Sequence, residues 1–146
     1  MKESTILSFW LVTAKTKRVI VQRWKVSSLA KDGLRSTKWI LDLAKTKECR
    51  NLPLILDSGF TNSFGFVVIQ LMGLDLRKLQ MNMKDSKFSI NSSLRIVKQS
   101  FSALQQLHQQ CLHVHQGIKP SNFVIGLSKQ GKSKVVFFLG FLKANA

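Results

Sequence analysis

Apolar and polar residues follow two rhythms along this chain, and the change from one to the other divides it. Residues 6–13 and 18–26 are short runs of apolar, β-branched and aromatic residues around Ala14-Lys15-Thr16-Lys17, which predicts a hairpin. Leu34, Ile40, Leu41, Leu43 and Ala44 recur at helical spacing, which predicts a helix over 34–47 with its second half buried. Lys45 and Lys47 suit the negative end of that helix's dipole. Residues 54–56 and 66–71 are again short and apolar. With Asp57-Ser58-Gly59 and Thr61-Asn62-Ser63 supplying turn chemistry between them, they predict a second hairpin.

Gly73 breaks that pattern and the period changes. Residues 74–80 predict a short amphipathic helix. Ser89 is placed to cap the next one. Leu94, Val97, Phe101, Leu104 and Leu107 form one stripe at three- and four-residue spacing, so residues 92–109 are expected to be the longest helix, with the stripe at least partly buried. Short strands are expected at 124–126 and 135–139, the latter entered through a polar turn at 128–133. The order predicts an α+β fold: strands, one helix, strands, then a mainly helical half, with the boundary near Met72-Gly73.

Composition changes this picture in one respect. The chain has 146 residues, 23 Lys and Arg against 7 Asp and Glu, and a formal charge of +16. Such a charge suits an acidic partner, nucleic acid among them. It also fits a chain that has shed acidic residues, because none occurs from Ser86 to Ala146. No apolar run approaches a membrane span. The apolar residues 6–12 read as a strand rather than a leader, since the run is short and follows Glu3. Cys49 and Cys111, far apart and outside any CxxC spacing, read as reduced thiols. These features predict a cytoplasmic or nuclear protein. His108, His113 and His115 near Cys111 make a poor metal set, and Ser121 or Cys111 with His115 lacks the carboxylate that a nucleophilic triad uses to orient its His. Trp10, Trp24 and Trp39 read as core residues rather than base-stacking platforms.

The most specific segment is His115-Gln116-Gly117-Ile118-Lys119-Pro120-Ser121-Asn122-Phe123. It resembles the catalytic loop of protein kinases, which reads His-Arg-Asp with Lys and Asn at fixed offsets. Phe66–Gly73 is similar to the fifth strand and hinge of the casein kinase 1 group. Residues 88–96 and Leu107-His108 resemble the start and end of its long helix, with about one extra residue before His115. Residues 135–140 resemble the strand that ends in Asp-Phe-Gly. Within that group the tau-tubulin kinase-like branch is the nearest likeness.

The resemblance implies a kinase-like fold: a small β-rich N-lobe with one helix over 1–72, and a truncated, mainly helical C-lobe over 73–146 that stops just after the Asp-Phe-Gly position. Such truncation would leave Phe101, Phe137, Phe141 and Leu142 short of partners. It implies hinge contacts to nucleotide from Gln70 and Leu71, a phosphate contact from Lys119 and a metal contact from Asn122. The departures from the family pattern are severe. Gly117 stands at the catalytic Asp, Gln116 at the neighbouring Arg, and Phe138 at the magnesium-binding Asp. No glycine precedes Gly33, so the Gly-rich phosphate loop is missing. Gln22, Arg23 or Lys25 stands at the third-strand Lys, and Thr37 or Lys38 at its Glu partner. The expectation is therefore a pseudokinase: no catalytic residue, no metal ligand set, weak ATP contacts at most, and action by binding a protein partner or a second copy. An active serine/threonine kinase and a basic nucleic-acid binder are the alternatives.

Overall fold

The computed structural model describes residues 7–12, 18–25, 28–62, 64–114, 117–127 and 134–140, with side chains from residue 32 onward. Four strands make one antiparallel sheet in the order β1 (Leu7–Val12), β2 (Arg18–Lys25), β4 (Phe64–Gln70), β3 (Ile55–Phe60). A second antiparallel pair joins β5 (Phe123–Ile125) to β6 (Val136–Phe138). Three helices accompany them: α1 (Ser28–Thr46), α2 (Leu76–Met81) and α3 (Ile90–Gln105), and α3 runs on into a π turn at Gln106–Gln110. The chain is thus mixed helix and sheet, with small antiparallel sheets. No described helix is long and apolar enough to cross a membrane.

Helix α1 starts earlier than its apolar spacing predicts, and it lays Leu34, Thr37, Ile40, Leu41 and Ala44 on the four-stranded sheet. Gly65, Val67 and Ile69 of β4 alternate onto the same side, all buried. Gly65 admits Leu34, whose Cδ2 would lie 2.5 Å from any Cβ added there. The helix ends without a glycine. Glu48 adopts φ 52°, Cys49 N donates to Ala44 O at 2.8 Å, and Glu48 N donates to Lys45 O at 3.2 Å. This is a Schellman motif, with a glutamate where glycine usually sits.

The predicted turn at Asp57-Ser58-Gly59 is strand instead. These residues pair with Val68, Val67 and Phe66, and the register slips at Leu56. Gly59 is what makes this work, since a Cβ there would meet the Phe66 ring at 3.0 Å. A ring laid over a strand glycine compensates the missing side chain.

Helix α3 departs most from expectation. Ser89 caps it as predicted, its Oγ accepting from Ser92 N at 3.3 Å. The predicted stripe is divided: Leu94 is 64% exposed, Val97 49% and Phe101 69%, whereas Leu104 packs against the core and Leu107 is buried in it. The inner face carries Ile96, Gln99, Ser102, Ala103, Gln106 and Leu107. Polar side chains hold much of it. Gln99 Oε1 accepts from Val136 N at 2.9 Å while its Nε2 donates to Lys134 O at 2.8 Å, so one amide continues the ladder of β6 as a strand would. The α-helical part of α3 has 16 residues against 19 in α1, so the predicted longest helix is the longer only when its π turn is counted.

Two further expectations are corrected. Phe137 is fully buried, packed with Met72 and Val124, rather than short of partners. Trp39 is half exposed on the outer side of α1 rather than in a core. Phe141, Leu142 and the turns at 14–17 and 128–133 lie outside the described residues, as do the side chains of Trp10 and Trp24.

The buried Asn51, on the turn between α1 and β3, ties these pieces together. Its N donates to Gln106 Oε1 at 3.0 Å and its Nδ2 to Val136 O at 2.7 Å. Its Oδ1 accepts from Ser102 Oγ at 3.1 Å and Gln106 Nε2 at 3.2 Å, and its carbonyl accepts from Phe138 N at 3.0 Å. Asn51→Leu keeps the volume and the backbone bonds but leaves the side-chain partners Val136 O, Ser102 Oγ and Gln106 Nε2 short of a bond, and each unmet buried polar group costs about 1–3 kcal/mol. The variant is expected to lose about 3 kcal/mol of stability, read as a lower urea midpoint at unchanged slope.

Candidate functional site

The loop before β5 is built by proline and an amide. Lys119 is extended, Pro120 opens a single 3₁₀ turn at Pro120–Asn122, and Asn122 N donates to Lys119 O at 2.9 Å. Proline suits this position because its fixed φ begins the turn and its missing N–H is not needed. The turn points the Asn122 side chain inward, where it is 3% exposed and its Nδ2 donates to Gly117 O at 2.7 Å. The Asn122 carbonyl accepts from Leu139 N at 2.8 Å. Loop and β6 are therefore joined next to Phe138, whose ring centroid lies 4.8 Å from that of Phe123 at a 49° tilt.

Asn122 is thus bonded to Gly117 through its side chain and to the residue after Phe138 through its carbonyl. Lys119 is exposed on the outer side of the loop. His115 and Gln116 lie outside the described residues. Gln22, Arg23 and Lys25 lie on β2, opposite Val67, Phe66 and Phe64 respectively. Thr37 is buried in α1, and Lys38 pairs on the surface with Asp42 one turn on.

The donor set does not fit magnesium. Asn122 Oδ1 is a buried oxygen with no partner among the described residues, which leaves one neutral ligand. Phe138 is fully buried at the other position and presents only carbon. No group of three His, Cys, Asp or Glu converges among the described residues. Magnesium requires near-octahedral oxygen, usually with carboxylates and substrate phosphates.

Gln70 and Leu71 are buried at the end of β4, with Gln70 Nε2 3.8 Å from Met72 Sδ. Gln70 lines a recess of about 250 Å³, but its other walls are the end of α1, residues 48–54 and Phe137. Leu71, Lys119 and Asn122 are not among them. The predicted nucleotide contacts do not share this cavity.

Cys49 and Cys111 meet nearby. Cys49, half-buried beside the recess, donates from Sγ to Gln110 Oε1 at 3.0 Å, and the fully buried Cys111 Sγ lies 3.7 Å from Ile40 O. Burial raises both thiols. Cys111 is pushed up to about 11, with the neighbouring Cys49 adding to the effect. Neither this contact nor the Asn51, Gln99 and Gln106 clasp was visible in the sequence reading. The one trace is a helix rich in glutamine where acidic residues are absent.

No family model matches the chain. Sequence relatives do exist. A probable serine/threonine-protein kinase of Dictyostelium discoideum is 31% identical over 99 residues, which is 68% of this chain and 20% of the relative. The serine/threonine-protein kinase spe-6 of Caenorhabditis elegans is 29% identical over 104 residues, 71% of this chain and 27% of the relative. The chain is therefore related to the serine/threonine protein kinases over about two thirds of its length. The casein kinase side of that family is represented too: a putative casein kinase I of Caenorhabditis elegans is 26% identical over 99 residues, 68% of this chain and 28% of the relative. The chain spans only about a fifth to a quarter of the length of these relatives.

Phe138 closes this site mechanically. Phe138→Ala removes a fully buried ring between β5 and α3 and is expected to cost about 3–5 kcal/mol. Circular dichroism during urea unfolding measures it, and a loss below about 1 kcal/mol would contradict the packing described.

Proposed function

We propose that this stretch is a catalytically inactive kinase-like domain of the casein kinase 1 group, closest to the tau-tubulin kinase-like branch, and that it acts by binding. In this reading residues 1–72 are the degenerate small lobe and 73–146 belong to the second lobe. The observation that carries it is the pair Gly117 and Phe138. Kinases use carboxylates to accept the proton of the attacking hydroxyl and to hold magnesium against the triphosphate. At the first position there is no side chain, and the Gly117 carbonyl is engaged by Asn122. At the second there is a buried ring. Gln22 is the best candidate for the degenerate third-strand Lys, because its register partner Val67 lies on the α1 side of the sheet.

The decisive experiment is phosphate transfer from labelled ATP to peptide or protein substrates, with thermal shift by nucleotide in the presence and absence of magnesium. Neither transfer nor a magnesium-dependent shift is expected. Gly117→Asp is expected to leave the protein inactive, and Phe138→Asp to unfold it, since a carboxylate there has no water and no counter-charge. Stoichiometric transfer abolished by Lys119→Ala would overturn the reading.

Binding in place of catalysis is supported by the outer face of α3, where Ile90, Leu94, Val97 and Phe101 are 80%, 64%, 49% and 69% exposed. A contiguous apolar helix face of this kind marks an interaction surface. Leu94→Lys with Phe101→Lys leaves the inner face untouched. The double variant is expected to sediment as monomer at concentrations where the parent self-associates or retains a partner chain. Equal behaviour of the two proteins would remove this surface from consideration.

A further inference from the structure

We propose that Cys49 and Cys111 are a disulfide-forming pair, with Cys49 as the entry thiol, that staples the end of α1 to the end of the α3 π turn. Two unrelated local devices aim these residues at each other. The Schellman motif at Glu48 folds Cys49 back over the last turn of α1. The π turn closes with Cys111 N donating to Gln106 O at 3.2 Å, five residues back, which turns Cys111 inward onto Ile40, one turn of α1 before Ala44. The two thiols are neighbours close enough to act on each other's ionisation. Cys49 also bonds Gln110, the residue before Cys111 and 61 positions away in sequence. A disulfide forms only where two sulfurs can approach with little backbone movement, and here the approach already exists.

Access is divided between the two. Cys111 is fully buried, whereas Cys49 is half-buried and lines the recess with Lys45, Glu48 and Arg50. The two cations favour a small anionic disulfide such as oxidised glutathione. In the first exchange the Cys49 thiolate attacks one sulfur of that disulfide, its S–S bond breaks, and a glutathione thiolate leaves and takes a proton. In the second, the Cys111 thiolate attacks Cys49 Sγ, the mixed disulfide breaks, and the second glutathione leaves. Two thiols are oxidised and one glutathione disulfide is reduced to two thiols. Burial keeps both cysteines mostly protonated near neutrality, so the exchange is slow there and faster in mild alkali.

The test equilibrates the whole chain, folded or in urea, in glutathione redox buffers at about pH 8.5 before an acid quench. Intact mass and non-reducing peptide mapping then read the products. The folded protein is expected to lose two hydrogens, to yield a Cys49–Cys111 cross-linked peptide, and to melt about 10 °C higher until reduced. Half-oxidation is expected at a glutathione ratio at least about tenfold more reducing than for the same chain in urea, because a bond compatible with the fold is favoured by it. Cys49→Ser removes only the half-buried thiol and abolishes the cross-link and the melting shift. Cys111→Ala gives the same answer if it folds. Equal half-oxidation points in the folded and urea-unfolded chains overturn the proposal. So does folded protein that gives only glutathione adducts or dimers between chains.

Discussion

Asn51 is the point on which the rest of the structure hangs. One buried residue uses its backbone N–H, its backbone carbonyl and both ends of its amide to hold α3 on one side and β6 on the other. Hydrogen bonds of this sort each add little to net stability, but leaving them unmade in a dry site is expensive. The geometry is therefore close to all-or-none. With β6 held, Phe138 packs on Phe123 and Leu139 N reaches the Asn122 carbonyl. The position of the kinase-like loop is thus decided far from the loop itself.

The groups that hold this scaffold differ in kind from those that phosphoryl transfer requires. The scaffold here is made by backbone groups, neutral amides and aliphatic packing. Among the described residues, carboxylates act locally: Asp32 pairs with Arg35, Asp42 with Lys38 and Asp75 with Lys78, each within one helical turn, and Asp75 also caps α2. Catalysis depends on the opposite inventory, charged groups converging on metal and phosphate. The two sets share almost no members, which is the general separation of fold from site chemistry.

Much of the fold was legible. Strands β1, β2 and β4, helices α1 and α2, and the cap at Ser89 follow from local sequence pattern. What failed had two physical causes. Asp57-Ser58-Gly59 carries turn residues, yet pairing with β4 and the Phe66 ring overrode that local preference. On α3 the apolar stripe runs outward at Leu94, Val97 and Phe101 and reaches the core only at Leu104 and Leu107, because much of the inner face is attached by Gln99, Ser102 and Gln106, and polar attachment leaves no periodic apolar signal. The thiol contact is invisible to sequence reading for a further reason: it depends on a helix end without glycine and on an irregular turn.

That irregular turn has a consequence for how the chain tolerates length change. A π turn is what an α-helix becomes when it takes in one extra residue without disturbing the turns on either side. The turn at Gln106–Gln110 does so here with Leu107 in the core. The same arithmetic runs in reverse. Deleting one residue from this turn would restore a regular helix and rotate Cys111 by roughly 100° about its axis, carrying the sulfur away from α1. The spacing between these helices and the fate of the thiol pair are thus written in a single indel, at a place where neither partner residue need change.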